Sequence, residues 1–115
     1  GLGGIRQQDD SFGFKHIVIK PEPVGDVREA EASYQSPYGL IVSDWKDNEK
    51  EFIVRVEVPA NSRASVYLPA KNTEQITESG IPLKDVSGIS YKKETDKYTV
   101  ATIGSGTYLF KVSKE

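Results

Sequence analysis

Apolar and polar positions alternate most cleanly between Glu51 and Pro69. Phe52, Val54, Val56 and Val58 interleave with Glu51, Ile53, Arg55 and Glu57, and after a short break Ala64, Val66 and Leu68 interleave with Ser65 and Tyr67. A period of two puts successive side chains on opposite faces, so each run predicts a strand with one face on a core and the other largely in water. Pro59 and Pro69 lack a backbone donor and close the two strands, while Asn61 and Ser62 supply turn chemistry between them. The pattern predicts that these two strands form the centre of one sheet, whose apolar face the remaining segments cover.

The same rule reads the rest of the chain. Phe14 to Lys20 predicts a strand with Ile17 and Ile19 on one face and His16 and Val18 on the other, stopped by Pro21 and Pro23. Gly25-Asp26 predicts a turn. Val27 to Tyr34 carries Ala and Glu, which favour helix, but eight residues between two turn signals read better as a strand. Ser36-Pro37-Tyr38-Gly39 predicts a tight turn into a strand over Leu40 to Trp45, followed by a polar hairpin loop over Lys46 to Lys50. Lys71 to Gly80 predicts a short strand around Ile76, Ile81-Pro82-Leu83 a turn, and Val86 to Tyr91 an irregular stretch. Tyr98 to Ile103 and Thr107 to Ser113 predict two further strands joined at Gly104-Ser105-Gly106. The second of these directs Tyr108, Phe110 and Val112 inward and Thr107, Leu109 and Lys111 outward. The sum is an all-β fold, an antiparallel β-sandwich of about eight or nine short strands. Residues 1–13 read as a linker or lead-in segment, and 14–115 as the sandwich domain.

Composition narrows the function classes. A chain of 115 residues holds one domain with a modest core. Charged residues make up 28% with a net charge of −2, which gives no basic footprint for nucleic acid and no basic helix for a membrane surface. The absence of cysteine excludes disulfides, thiolate metal sites and cysteine nucleophiles. No apolar run approaches membrane-spanning length and no signal peptide is visible. The opening Gly-Leu-Gly-Gly reads as a cut into a longer protein or a cloning scar.

Candidate chemistry is sparse. His16 is the single histidine, placed mid-strand with no nucleophile motif to serve. Gly104-Ser105-Gly106 has the look of a nucleophile elbow or a phosphate loop, but both need a helix next, and a strand pattern follows. Asp44, Asp47 and Glu49 around one loop carry oxygen ligands of the kind calcium takes, but such spacing is common in polar turns and a solvated hairpin loop is the better reading. Seventeen acidic residues allow carboxylate pairs to be drawn at will, so no glycosidase pair is assigned. Tyr34, Tyr38 and Trp45 flank the Pro37–Gly39 turn and form the one candidate site, as a platform for stacking sugar rings or as an interface. The competing reading places Trp45 in the core, where an indole buries a large area. No catalytic residue, metal ligand or cofactor site is assigned.

Four segments nevertheless resemble a family in order along the chain. They are Gly4-Ile5-Arg6 with Gly13-Phe14-Lys15-His16-Ile17-Val18-Ile19-Lys20-Pro21; Ala32 to Gly39 with a strand ending in Asp44-Trp45; Val58-Pro59-Ala60-Asn61-Ser62-Arg63-Ala64-Ser65-Val66-Tyr67-Leu68-Pro69; and Gly104 to Val112. Together they resemble the C-terminal β-sandwich domain of bacterial α-L-rhamnosidases, glycoside hydrolase family 78. One departure is Ser11-Phe12 before Gly13-Phe14, where the family commonly has a proline. The resemblance implies an (α/α)6 barrel preceding this domain in the parent chain, which carries the catalytic acid and base and hydrolyses terminal α-L-rhamnose with inversion. It implies a sandwich that packs on that barrel and is not the catalytic centre, and it makes the barrel and rhamnose-containing glycans the expected partners. None of the barrel's motif positions exist here, so no catalytic residue carries over. Outward apolar residues such as Ile53 and Leu109 are then expected to meet the barrel. The sequence itself sets no compartment, and a periplasmic or secreted bacterial enzyme is slightly favoured. The alternatives are a carbohydrate-binding module using Tyr34, Tyr38 and Trp45, and an immunoglobulin-like adhesin or structural module without a sugar role.

Overall fold

The computed structural model describes residues 5–9, 15–21 and 28–114. The expected strand start at Phe14, Pro23 and the Gly25-Asp26 turn lie outside these residues. Eleven strands are present among the described residues: β1 (Ile5–Asp9), β2 (Lys15–Ile19), β3 (Glu29–Ser36), β4 (Gly39–Asp47), β5 (Glu51–Val58), β6 (Ser62–Leu68), β7 (Ile76–Glu78), β8 (Ile81–Pro82), β9 (Ser90–Lys93), β10 (Thr99–Ile103) and β11 (Gly106–Ser113). They build two sheets, one ordered β1-β2-β6-β10-β9 and the other β3-β4-β5-β11-β7-β8. All pairs are antiparallel except β2 with β6.

The two best-patterned strands do not share a sheet, contrary to the sequence expectation. β5 pairs with β4 and β11, whereas β6 pairs with β2 and β10. Pro59 and Ala60 break the ladder, and Asn61 takes a left-handed backbone with φ of 61°. Asparagine tolerates that region, so the chain can leave one sheet and start the other. Crossing over turns the apolar faces of β5 and β6 toward each other, and each covers the other.

The core fills the space between the sheets. Phe52, Val54 and Val56 from β5, Phe110 and Val112 from β11, and Ile41 and Trp45 from β4 meet Ile17 and Ile19 from β2, Ala64, Val66 and Leu68 from β6, and Ala101 and Ile103 from β10. Full burial of a side chain of this size contributes about 1.5–3 kcal/mol relative to exposure. Ile76 and Leu83, on or beside two single turns of 3₁₀ helix at Thr73–Gln75 and Leu83–Asp85, are buried in the same core cluster.

The eleven strands exceed the eight or nine expected, and three of them lie where none was read. The segment read as a linker or lead-in contains β1, which pairs along its whole length with β2 from Ile5↔Ile19 to Asp9↔Lys15. β8 is two residues long, and β9 occupies Ser90–Lys93, where an irregular stretch ending at Tyr91 was expected. All four β9 side chains are exposed, so the strand has no buried face to imprint an alternation.

Candidate functional site

The β3–β4 hairpin holds two members of the aromatic trio. β3 ends at Ser36 and β4 begins at Gly39, leaving Pro37-Tyr38 as a two-residue turn. The buried Ser36 hydroxyl secures it, donating to the Gly39 carbonyl at 2.7 Å and accepting from the Tyr38 amide at 3.2 Å. Gly39 has a φ of +138°, and a Cβ there would sit 2.9 Å from the Cβ of Pro59. Only glycine suits that backbone and that close approach. Tyr34 is 46% exposed and Tyr38 41%, and Leu40, opposite Gln35 in the ladder and so on the other face from Tyr34, is 49% exposed.

The third ring is elsewhere. Trp45 pairs with Val54 across the β4–β5 ladder, is 2% exposed, and stacks on Phe52 with centroids 5.9 Å apart. Its position relative to Ile41 decides this: an even separation along a strand keeps both on the face that meets the core. The three rings therefore do not make one platform, and the surface aromatic pair is Tyr34 with Tyr38. The sequence reading missed the exposure of Leu40 on the other face of this hairpin, although its place next to the turn glycine was a usable signal.

The other candidates are held by neighbours within the domain. His16 is half-buried, its Nε2 2.8 Å from the Ser65 hydroxyl on the adjacent parallel strand. Asp44 and Glu57 flank Arg55, with Asp44 at 3.0 Å and Glu57 at 2.5 Å. The hydrogen bonds that Arg55 donates, first to Glu57 and then to Asp44, raise its pKa above the ordinary value. A shallow depression of about 580 Å³ lies over this network, edged by Glu29, Glu31, Lys46 and Ile53. Asp47 is clasped by Arg28 and Lys114. Asp44 and Asp47 thus face cations, and no group of three or more metal-ligating side chains occurs among the described residues.

The Gly104-Ser105 turn is followed by a strand and not a helix, but it is not the hairpin its sequence context suggests: it carries the chain from β10 in the smaller sheet to β11 in the larger one. The Tyr108 hydroxyl donates back to the Gly104 carbonyl at 3.1 Å, with the Ser105 carbonyl at 3.3 Å. Burial raises the Tyr108 pKa above its ordinary value, and the charge of Glu78 pushes the same way. Glu78 is itself buried on β7, where it accepts from the Ser79 hydroxyl and from the Leu109 amide at 3.3 Å.

Fold and surface together define a two-sheet β-sandwich domain with an exposed aromatic hairpin at one end. Comparison with known proteins identifies its family. The profile described as "Bacterial alpha-L-rhamnosidase C-terminal domain" matches residues 4–81. An α-L-rhamnosidase of Formosa agariphila is 27% identical over 107 residues, 93% of this chain and 11% of that protein. One of Streptomyces avermitilis is 29% identical over 100 residues, 87% of this chain and 9% of that protein. Among solved structures, an α-L-rhamnosidase from Dictyoglumus thermophilum superposes with a TM-score of 0.81 at 30% identity, over 98% of this chain and 12% of that one. The Streptomyces avermitilis enzyme complexed with L-rhamnose gives 0.78 at 25% identity, over 98% of this chain and 10% of that one. The chain belongs to the bacterial α-L-rhamnosidase C-terminal domain family and spans about a tenth of the length of the relatives it matches.

Proposed function

We propose that this chain is the non-catalytic C-terminal accessory domain of an α-L-rhamnosidase-like glycoside hydrolase, and that it packs on and stabilises the catalytic (α/α)6 barrel that precedes it. The observation that carries the reading is the coverage: nearly the whole chain superposes on only 10–12% of two rhamnosidase chains. The chemistry of the surface supports it. Glycoside hydrolysis needs a carboxylic acid and a carboxylate held across a bond, free to exchange protons. Here Asp44 and Glu57 are tied to Arg55, Asp47 to Arg28 and Lys114, and Glu78 is packed away inside the fold.

The purified 115-residue chain is expected to release no aryl group from an aryl α-L-rhamnoside, and clear turnover would overturn the non-catalytic assignment. The parent chain cut before Gly1 is expected to lose activity faster on heating than the intact parent. Equal half-lives would remove the stabilising role. A second reading has one observation in its favour, the outward rings of Tyr34 and Tyr38. It makes them a contact for rhamnose-containing glycans, without Trp45. Titrating the chain with L-rhamnose while following the tyrosine ring resonances tests it: shifts confined to Tyr34 and Tyr38 support the contact, and unmoved resonances exclude it.

A further inference from the structure

The two ends of the larger sheet differ in charge, while on the smaller sheet Asp9, Lys15 and the exposed Arg63 stand at the same end as the uncharged turns. Although 28% of the chain is charged, residues 32–43 and 98–110 contain no Asp, Glu, Lys or Arg, and they are its two longest such runs. Each doubles back at the same end of the fold. The first bends at Pro37-Tyr38 and the second at Gly104-Ser105. Between them lies the uncharged Pro59-Ala60-Asn61 crossover, with Gly106 opposite Val58 in the ladder and Gly39 against Pro59. The opposite end gathers the charged turns: Asp47 to Lys50, with Lys114 beside them, and Lys93 to Lys97.

The neutral end of the larger sheet is also apolar and braced. Of the five large hydrophobic side chains standing exposed among the described residues, three are on one hairpin: Tyr38 at its tip, with Tyr34 and Leu40 on its opposite faces. The hairpin is fixed by the Ser36 hydroxyl and by the Gly39–Pro59 approach, and the neighbouring turn is fixed by Tyr108. Depletion of charge with enrichment of tyrosine marks the centre of a protein interface, and a rigid surface loses little entropy on docking. Exposed apolar side chains gathered in one place mark an interaction site where scattered ones do not. Three of the four segments that carry the family resemblance meet here, which gives them a shared location.

We infer that this neutral end, centred on Tyr34, Tyr38 and Leu40 and backed by Pro59, is the surface by which the domain docks on the remainder of its own chain. The inference rests on the accessory reading above and adds the place of contact. The occupant follows from length: about nine-tenths of each matched relative lies outside this domain, so the partner always present is the same polypeptide. The outward sheet face holding Ile53 and Leu109 serves less well. Its charges already pair as Arg55 with Asp44 and Glu57 and as Lys46 with Glu29, and docking there would desolvate them.

The domain has no cysteine, so a single introduced thiol reports on one place. In the intact parent chain, Tyr38→Cys and, at the charged end, Glu49→Cys would be labelled with a maleimide. Rates would be read on the tryptic peptide by mass spectrometry and normalised to the urea-unfolded chain. Docking at the neutral end makes Tyr38→Cys at least about tenfold slower than Glu49→Cys, because labelling must wait for the contact to open. The same protection at every protein concentration supports contact within one chain; protection lost on dilution means a second copy and overturns the inference. Protection of Glu49→Cys alone, or of both positions equally, overturns the inference and leaves the accessory role standing. Free labelling at both positions overturns the packing role itself along with the surface. Leu40→Asp provides a second reading in the parent chain, where docking predicts a lower temperature for loss of rhamnosidase activity. A control substitution, Glu49→Gln, is expected to leave that temperature unchanged, and equal effects from the two would count against the neutral end.

Discussion

At the scale of single residues, three positions are set by one physical requirement each. Gly39 needs a positive φ and has a proline where a Cβ would go. Gly39→Ala therefore adds backbone strain and a clash, and is expected to cost about 2 kcal/mol, seen as a lower urea midpoint with an unchanged slope. Ser43 presents the opposite case. Its hydroxyl is fully buried and finds no hydrogen-bond partner among the described residues. Ser43→Ala removes that unsatisfied group, and is expected to be neutral or to stabilise by up to about 1 kcal/mol. A loss above 1 kcal/mol by urea titration would show that the hydroxyl has a partner after all. Tyr108 ties stability to pH. Its folded pKa is raised above the ordinary value of 10.0, by burial first and then by Glu78. Its contribution is therefore complete below the unfolded value and falls away as pH rises through the folded one. Stability is expected to decline above about pH 10, with the Tyr108 phenolate appearing as a late component in the absorbance titration. In Tyr108→Phe that late component should vanish, and its persistence would assign it to another ring.

At the scale of elements, the legible and illegible parts of the fold separate cleanly. Strands with one face in the core announced themselves: β2, β5, β6, β10 and β11 carry their buried residues at every second position. β3 was ambiguous because Ala and Glu serve helix or strand, and only the turn signals on either side decided it. β1 and β9 were not legible, since edge strands need no apolar face of their own. Sheet membership was equally hidden. Whether β6 continues beside β5 or crosses over depends on the backbone of Asn61 and on which faces need covering, and alternation is the same in either case. The candidate site shows the same division. The parity that places Trp45 with Ile41 in the core was present in the sequence. Tyr34 pairs with Ile41 and shares that inward parity, yet it is exposed because β3 is an edge. One clasp between elements is testable by itself. Asp47, at the end of β4, joins Arg28 ahead of β3 to Lys114 after β11. Asp47→Ala is expected to cost about 1 kcal/mol, the upper range for partly exposed pairs, and less at high salt. A salt-independent loss would point to packing rather than charge.

At the scale of the whole molecule, two sheets of different size close on one core, and that makes their stabilities inseparable. β5 and β11 supply Phe52, Val54, Phe110 and Val112 to a cluster whose other half comes from β2, β6 and β10. Parting the sheets would leave both inner faces wet, at about 25 cal/mol for each Å² of apolar surface exposed. Neither sheet has a second buried layer to retreat to, since the outward face of the larger one carries the Arg55 network and that of the smaller one His16 with Ser65 and the Tyr67–Tyr98 contact under Lys20. A partly unfolded state with one intact sheet is therefore expected to be absent at equilibrium. Trp45 is a suitable reporter: it belongs to the larger sheet, stacks on Phe52 and lies within the shared core. In the native chain its emission is expected to be blue-shifted and unaltered by added rhamnose. Under urea its red shift should coincide with the loss of β-sheet circular dichroism, in one transition with a slope of about 1–3 kcal/mol per molar. If the indole signal moved at a lower urea concentration than the circular dichroism, the core would be opening ahead of the sheets. That result would refute the dependence of each sheet on the other.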